Sequence, residues 1–459
     1  METRRFDVVV AGAGTSGAAA AWALASGGRS VALIEARPLA EAGARYGVGI
    51  PAWVFERLGV GVPTEPELIE PGTRTHFTTL AGDPVFTLEA RANPMWTVDG
   101  SRLVDRLQGL ARGAGAAIFD RVRMGDVSLQ DGRPVALAVQ PPEGAAVRLE
   151  AALFVDATGV SQALLRKVPA LAADCPAPGR RDYCSAVAFS CPITGPGGAL
   201  SFLERRRAHP GEGVTWFGLE GGYSSVLLQL DARLSHAHVV IGVTAGRPYR
   251  TATELFDDLR RREPWLGPRT SGATRPIPLR RPYERLAAPG LALVGDSGNM
   301  VYSAHASGIG MGLVAARLLA DATADARDPG GLEATWAYSG AFHRTLGPRL
   351  GGMDVLRRLF RSLSGAEADG LLSAGFLAPR ATATGLALRE PVPSLSDAAW
   401  IARAFVRNPA LGLKVARAAA RVPAVMTLHR RYPATPDRHL LATWAQATAR
   451  AAGVEPDVR

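Results

Sequence analysis

Glycine bares the backbone at two places where an anionic ligand could be gripped. Gly12-Ala13-Gly14-Thr15-Ser16-Gly17 follows an apolar run at 6–11 and opens a small-residue stretch predicted to be helical over 15–26. In such a strand–turn–helix the first glycine permits the tight turn and the second lets backbone approach a pyrophosphate. The third lets helix and strand pack closely. The helix start adds N–H donors and the positive end of its dipole. Glu35 closes the next apolar run, roughly twenty residues on, where a carboxylate can accept from an adenosine ribose hydroxyl. Strand, helix, strand and terminal acid read together as a dinucleotide-binding unit.

The second place is Gly295-Asp296, after an apolar run at 291–294, with Ser307-Gly308-Ile309-Gly310-Met311-Gly312 starting a helix. An Asp at a strand end can bind a ribityl or ribose hydroxyl. A glycine-rich helix start offers N–H groups and dipole to a reduced, anionic flavin ring; the plainer reading is a packing turn. Between the two lies a loop with Tyr302 and His305. A histidine there could deliver a proton near neutral pH, and either side chain could instead wall or tether the ring.

Together the motifs resemble the FAD-dependent monooxygenase superfamily of the para-hydroxybenzoate hydroxylase type, which includes geranylgeranyl reductases, lycopene cyclases and flavin halogenases. The resemblance runs over about 1–330. It implies that Gly12, Ala13, Gly14, Ser16 and Gly17 hold the FAD diphosphate, Glu35 the ribose, and Gly295 and Asp296 the ribityl chain. It also implies that Gly308, Ile309 and Gly310 meet the flavin. Two arginines join by position: Arg45 in Gly43-Ala-Arg-Tyr-Gly47, and Arg102 in Val98-Asp-Gly-Ser-Arg-Leu-Val-Asp105. Val155-Asp-Ala-Thr-Gly159 resembles the segment closing the nucleotide fold.

The chain also departs from the pattern. No proline stands between Asp296 and Gly308, and Asn299 occupies a place where hydroxylases often carry His. Tyr46-Gly-Val-Gly-Ile-Pro51 lacks the Cys usual in the reductases. Halogenation is disfavoured, because the only lysines are Lys167 and Lys414 and Trp216 has no second Trp two residues away. The preferred expectation is oxygen insertion into a mostly apolar small molecule, using FAD, O₂ and NAD(P)H or a partner flavin reductase. The alternative is reduction of an isoprenoid-like double bond, or dehydrogenation. A flavin-binding protein without turnover is the third reading.

These residues need a scaffold, and the apolar periodicity supplies one. The expected class is α/β: a Rossmann-like FAD domain from 1–70, 97–182 and 279–330, an inserted antiparallel sheet from 71–96 and 183–278, and a helical region over 331–459. A helix at 101–113 shows Leu103, Val104, Leu107 and Leu110 at helical spacing. The aromatic set Phe189, Phe202, Trp216, Phe217 and Tyr223 reads as sheet core, part of it able to line a pocket. His236 and His238 alternate along a strand and read as exposed or core-satisfied rather than as metal ligands.

Composition excludes other classes. With 47% hydrophobic and 20% charged residues the chain must bury a large core, which removes disordered and fibrous proteins. The formal charge of +10 is nearly all arginine. It reads as genomic base composition, and Arg205-Arg206-Arg207 and Arg260-Arg261-Arg262 read as solvated faces. No aromatic interleaving suggests a nucleic-acid groove, while attraction to an acidic membrane surface stays open. Cys175, Cys184 and Cys191 are odd in number and widely spaced, favouring neither disulfides nor zinc and suiting a reducing cytoplasm. Arg4-Arg5 before an uncharged stretch imitates an export signal, but Asp7 and the glycines inside it argue for strand and helix. Basic amphipathic helices near 400–407 and 411–417 read as a helical cap, with a lid or a membrane-surface face as the sharper option.

Overall fold

The computed structural model describes residues 2–303, 306–390 and 395–458; His305 lies outside them. At its centre is the strand Glu2–Ala11, whose Val8, Val9, Val10 and Ala11 have no exposure. It runs parallel to Val31–Ile34 on one side and Val147–Asp156 on the other. Ala117–Phe119 extends the sheet beyond the first neighbour and Leu291–Leu293 beyond the second, both parallel. Strands covered on both faces need continuous apolar runs rather than alternation, as these have. The same sheet branches antiparallel from Val147–Asp156 through Arg133–Gln140 to Arg123–Gln130. The expected Rossmann-like parallel sheet is thus present, with both glycine motifs at the carboxyl ends of its strands.

Helix Thr15–Ser26 packs against Gly100–Gly113 and Ile309–Thr323. Ala18, Ala19, Ala20 and Ala21 on it are fully buried, so neighbouring backbones can come close. Gly100–Gly113 buries Leu103, Val104, Leu107 and Ala111, and Asp99 caps it by accepting from the N–H groups of Ser101 (2.8 Å) and Arg102 (3.2 Å).

The second, seven-stranded sheet has the order Ser271–Pro278, Tyr183–Pro192, His236–Thr244, Ser224–Leu230, Gly213–Phe217, Thr75–Thr78, Pro84–Leu88. All pairs are antiparallel except Gly213–Phe217 with Thr75–Thr78. Two helices the sequence reading did not assign, Pro196–Arg205 and Ala252–Arg262, cover its outer face. They bury Phe189, Phe202 and Trp216 there, so these aromatics line no pocket beside the motifs. Arg206 also departs from expectation: it is buried, its guanidinium 4.0 Å from the Phe202 ring centre, while Arg261 and Arg262 stay exposed beside Asp258.

The C-terminal region is helical as predicted, from Leu332–Thr345 to Arg438–Ala452. Its tail returns to clamp the segment leading into Leu291–Leu293. Glu284 accepts from the N–H groups of Asp457 and Val458, both at 2.8 Å, and pairs with Arg281 at 3.0 Å. Asp174 receives Arg285 at 2.8 Å and Arg438 at 2.6 Å. Arg281 and Arg285 are buried and compensated, as buried charge must be, while Arg438 reaches Asp174 from the surface.

Candidate cofactor and active site

The first motif is built around the absence of side chains. Gly12 has φ +98°, and a Cβ there would meet the Ala157 carbonyl oxygen at 2.4 Å. At Gly17 a Cβ would lie 1.8 Å from the Gly12 carbonyl oxygen, so strand and helix cross on bare backbone. Gly14, by contrast, would meet nothing nearer than the Gly43 Cα at 3.3 Å. No side chain caps the first turn of Thr15–Ser26, leaving its N–H groups for an anion. Glu35 is buried and accepts from the Ala13 N–H (2.9 Å) and the Arg37 N–H (3.1 Å). Gln108, which the sequence reading passed over, donates to the Ala13 carbonyl at 2.9 Å. Its signal was an amide inside the apolar stripe of Gly100–Gly113.

Although far apart in sequence, the two motifs meet at Ser16. A Cβ on Gly295 would lie 2.7 Å from the Ser16 Oγ, and one on Gly312 only 2.1 Å from it. Gly310 faces Val54 and Leu388 at 3.3 and 3.4 Å from its would-be Cβ, so these glycines also serve helix packing. Gly308 and Ile309 begin Ile309–Thr323, again with no side-chain cap, and a Cβ on Gly308 would lie 2.9 Å from Asp296 Oδ1. Asp296 has no hydrogen-bond donor among the described residues, and burial raises its pKa to about 6. A half-buried carboxylate without a partner is costly unless something else hydrogen-bonds to it.

Of the two arginines, Arg45 is fully engaged. It pairs with Asp105 at 2.8 Å and donates to the carbonyls of Ala42 (2.9 Å) and Leu39 (3.2 Å), fastening its loop to Gly100–Gly113. Arg102 is exposed, 3.7 Å from Asp99. Tyr302 is buried in the main core, below Gly385, and burial pushes its hydroxyl pKa up. That makes it a poor proton donor at neutral pH.

Opposite the motifs stands the inner face of the seven-stranded sheet. Registration places Ala186, Gly242 and Ser225 in one row across it, Ala188, Val240 and Leu227 in the next, and Ser190, His238 and Gln229 in a third. The middle of this roof is small and apolar, and one margin is polar. His238 approaches the other side: its Cε1 lies 3.8 Å from where a Gly47 Cβ would be. Burial lowers its pKa, so the ring is neutral. Tyr46, adjoining Gly47, is raised first by burial and then by Asp296, with Arg275 on the edge strand pulling the other way. Tyr46 and His238 were missed as site residues: a strand residue such as His238 does not reveal which face turns inward, and Tyr46 stands in the bend before Gly47–Pro51. The three cysteines are free and buried, and burial raises all three thiols, Cys184 to about 12; they are unreactive at neutral pH.

FAD fits this arrangement: a bare turn and uncapped helix for the diphosphate, Glu35 for the ribose, Asp296 for the ribityl hydroxyls, and a second uncapped helix start for the ring. Asp296→Asn should therefore do two opposite things. FAD affinity should fall at least about tenfold, since a charge-assisted hydrogen bond is lost. The apo-protein should gain about 1–3 kcal/mol at neutral pH, because a raised carboxylate pKa marks a charge the fold holds at a cost. FAD titration and apo-protein melts measure the two effects; an unchanged affinity would remove Asp296 from the site.

Known proteins agree with this geometry. Residues 7–166 match the family model described as FAD dependent oxidoreductase. The chain is 32% identical over 176 residues to a thiamine thiazole synthase of Desulfosudis oleivorans, covering 36% of this chain and 61% of that protein, under two thirds of its length. It is 21% identical over 467 residues to a digeranylgeranylglycerophospholipid reductase of Sulfolobus acidocaldarius, covering 97% and 96%. Its fold is similar to a geranylgeranyl bacteriochlorophyll reductase-like protein of Thermoplasma acidophilum, with TM-score 0.71, 16% identity, and 91% and 100% coverage. Residues 7–166 thus resemble the FAD dependent oxidoreductases, and the chain as a whole is similar in sequence to the digeranylgeranylglycerophospholipid reductase and in fold to the geranylgeranyl bacteriochlorophyll reductase-like protein.

Proposed function

We propose that the chain reduces carbon–carbon double bonds in an apolar, isoprenoid-like small molecule. The observation that carries this reading is length: the similarity to the digeranylgeranylglycerophospholipid reductase extends over 97% of the chain, C-terminal helices included. The inner sheet face supports it, since Ala186, Ala188, Val240 and Leu227 would roof a greasy body without offering it a charge. Bound FAD would supply the hydride. Asp296 and the helix start at Gly308 would hold the cofactor, and the apolar roof would exclude water from the reacting carbons. The second carbon needs a proton. His238, on the inner sheet face, and Tyr46, within electrostatic reach of Asp296, are the groups proposed to relay one, and NAD(P)H is the proposed source of electrons.

Oxygen insertion is the second reading, favoured by Tyr46-Gly-Val-Gly-Ile-Pro51, which lacks a cysteine. One experiment separates the two. The purified, dithionite-reduced protein is given polyprenyl alcohols and phosphates without oxygen, and in parallel NADPH with labelled O₂. Products heavier by two hydrogens per bond in the anaerobic arm support reduction. Labelled oxygen in the product of the aerobic arm, with no anaerobic reduction, replaces it with oxygen insertion.

A further inference from the structure

We propose that the outer faces of the consecutive helices Leu395–Arg407 and Pro409–Ala419 form a docking surface for an anionic lipid bilayer. Between 395 and 431 the sequence carries seven Lys and Arg residues against a single acid, Asp397. Lys414 and Arg430 pair with Glu367 and Glu390. Arg403, Arg407, Arg417, Arg421 and Arg431 are exposed and make no ion pair among the described residues. Two apolar side chains stand among them: Val406, 86% exposed, and Leu413, 49% exposed. Single exposed apolar residues are ordinary. Each here stands beside cations of its own helix, Val406 by Arg403 and Arg407 and Leu413 by Arg417, the pattern of helices lying in a membrane interface.

The opposite faces of these helices are already used. Ala404 and Leu411 are buried with Leu371 and Phe376, and Phe405 packs there too, so the chain itself does not need the outer faces. Other occupants fit less well. With Phe405 turned inward and the Trp400 indole nitrogen buried, the surface lacks a platform for stacking bases. A second copy would bring like charge against like. Among the described residues no helix is long and apolar enough to cross a membrane, so contact would be peripheral. The surface also adjoins the covered end of the cofactor site. Leu395–Arg407 neighbours Pro379–Leu386, where Gly385 lies over Tyr302, and Leu388 just beyond lies against Gly310.

Docking can be measured without turnover, so it stands apart from the proposed reaction. The FAD-loaded chain is sedimented with phosphatidylcholine vesicles and with vesicles holding about 30% phosphatidylglycerol. Anionic vesicles should carry down about tenfold more protein, and about 0.5 M salt should release most of it. Arg403→Glu with Arg407→Glu and Arg417→Glu should lower binding to the neutral-vesicle level. Val406→Ser with Leu413→Ser, which leaves the charge intact, should weaken it about fivefold. All five positions are exposed, and retained flavin absorbance confirms the fold. Equal pelleting by both vesicle types, or indifference to either variant, overturns the proposal. So does a dimer in light scattering that the serine variant dissolves, or duplex DNA bound in preference to vesicles.

Discussion

Gly17→Ala should yield colourless protein, with FAD affinity down at least about a hundredfold and stability down by about 3 kcal/mol or more. The added methyl would lie 1.8 Å from the Gly12 carbonyl oxygen and 3.1 Å from the Ala157 Cβ. Both obstacles belong to rigid elements, the turn after Glu2–Ala11 and the end of Val147–Asp156, so neither can swing aside as a long side chain would. Helix Thr15–Ser26 must back away, and its N–H groups leave the position a diphosphate occupies. Gly14→Ala is the informative partner. Its methyl would meet only Gly43, at 3.3 Å, so the apo-protein should melt within about 1 kcal/mol of the parent. Yet the methyl stands where backbone must approach the diphosphate, and FAD affinity should fall at least about tenfold. Visible flavin absorbance, FAD titration and apo-protein melts read out both variants. A Gly17→Ala protein that binds FAD normally would show that this turn does not cradle it. A Gly14→Ala protein that does so would place the diphosphate elsewhere.

The contrast between these glycines shows where sequence is informative. Val8 to Ala11 could be read as a buried parallel strand because being covered on both faces leaves no room for polar alternation. Gly100–Gly113 could be read because its apolar stripe repeats at the helical period. The two glycine motifs were legible for a related reason: close approach of backbone to its neighbours demands glycine whatever the surroundings. The roof was not legible. Alternation along Tyr183–Pro192 and His236–Thr244 says there are two faces and is silent about which one looks at the cofactor. Phe189 and Trp216 read correctly as sheet core, but which face they share stayed open until they proved to lie under helices, one of which has a Pro196-Gly197-Gly198 opening that reads as a turn. His238 passed as a bland strand residue until registration set it beside Ser190 and Gln229, facing Gly47. Arg45 shows the converse: its position in a pattern suggested a ligand contact, and its guanidinium is occupied with Asp105 and two carbonyls.

Acid should act on the C-terminal helices through a buried histidine pair well before Asp354 titrates. His343 and His429 are buried and face one another, Nδ1 to Nδ1 at 3.3 Å, with His343 Nε2 3.1 Å from the Tyr283 carbonyl. Tyr432 stacks on His343 at 4.7 Å, and Trp444 closes the pocket edge-on. Burial, reinforced by Arg281, lowers His429 to about 3; burial and then His429 itself lower His343 further below its ordinary value. Both rings are therefore neutral in the fold, while in the unfolded chain each takes up a proton near pH 6.5. Below that pH the unfolded state binds more protons, so stability falls as pH falls. Two pH units at about 1.4 kcal/mol each make the His429 contribution roughly 3 kcal/mol by pH 4.5, with His343 adding to it.

Asp354 acts in a different window. Burial alone would raise it, but Arg357, Arg358 and Arg281 outweigh burial and hold it well below the usual carboxylate range. Its contribution is complete above about pH 4 and fades only in stronger acid, so between 6.5 and 4.5 the histidine loss is opposed instead by buried carboxyls held above their ordinary range, Asp296 at about 6 among them, which gain a proton in the fold. In urea unfolding across that interval, His429→Gln should lose less stability than the parent, by about 1.4 kcal/mol per pH unit. His236→Gln, at an exposed position, should leave the loss unchanged. A pH dependence that His429→Gln leaves unchanged would mean that water reaches the paired rings, and that the pocket joining Leu332–Thr345 to Val422–Arg430 is open in solution.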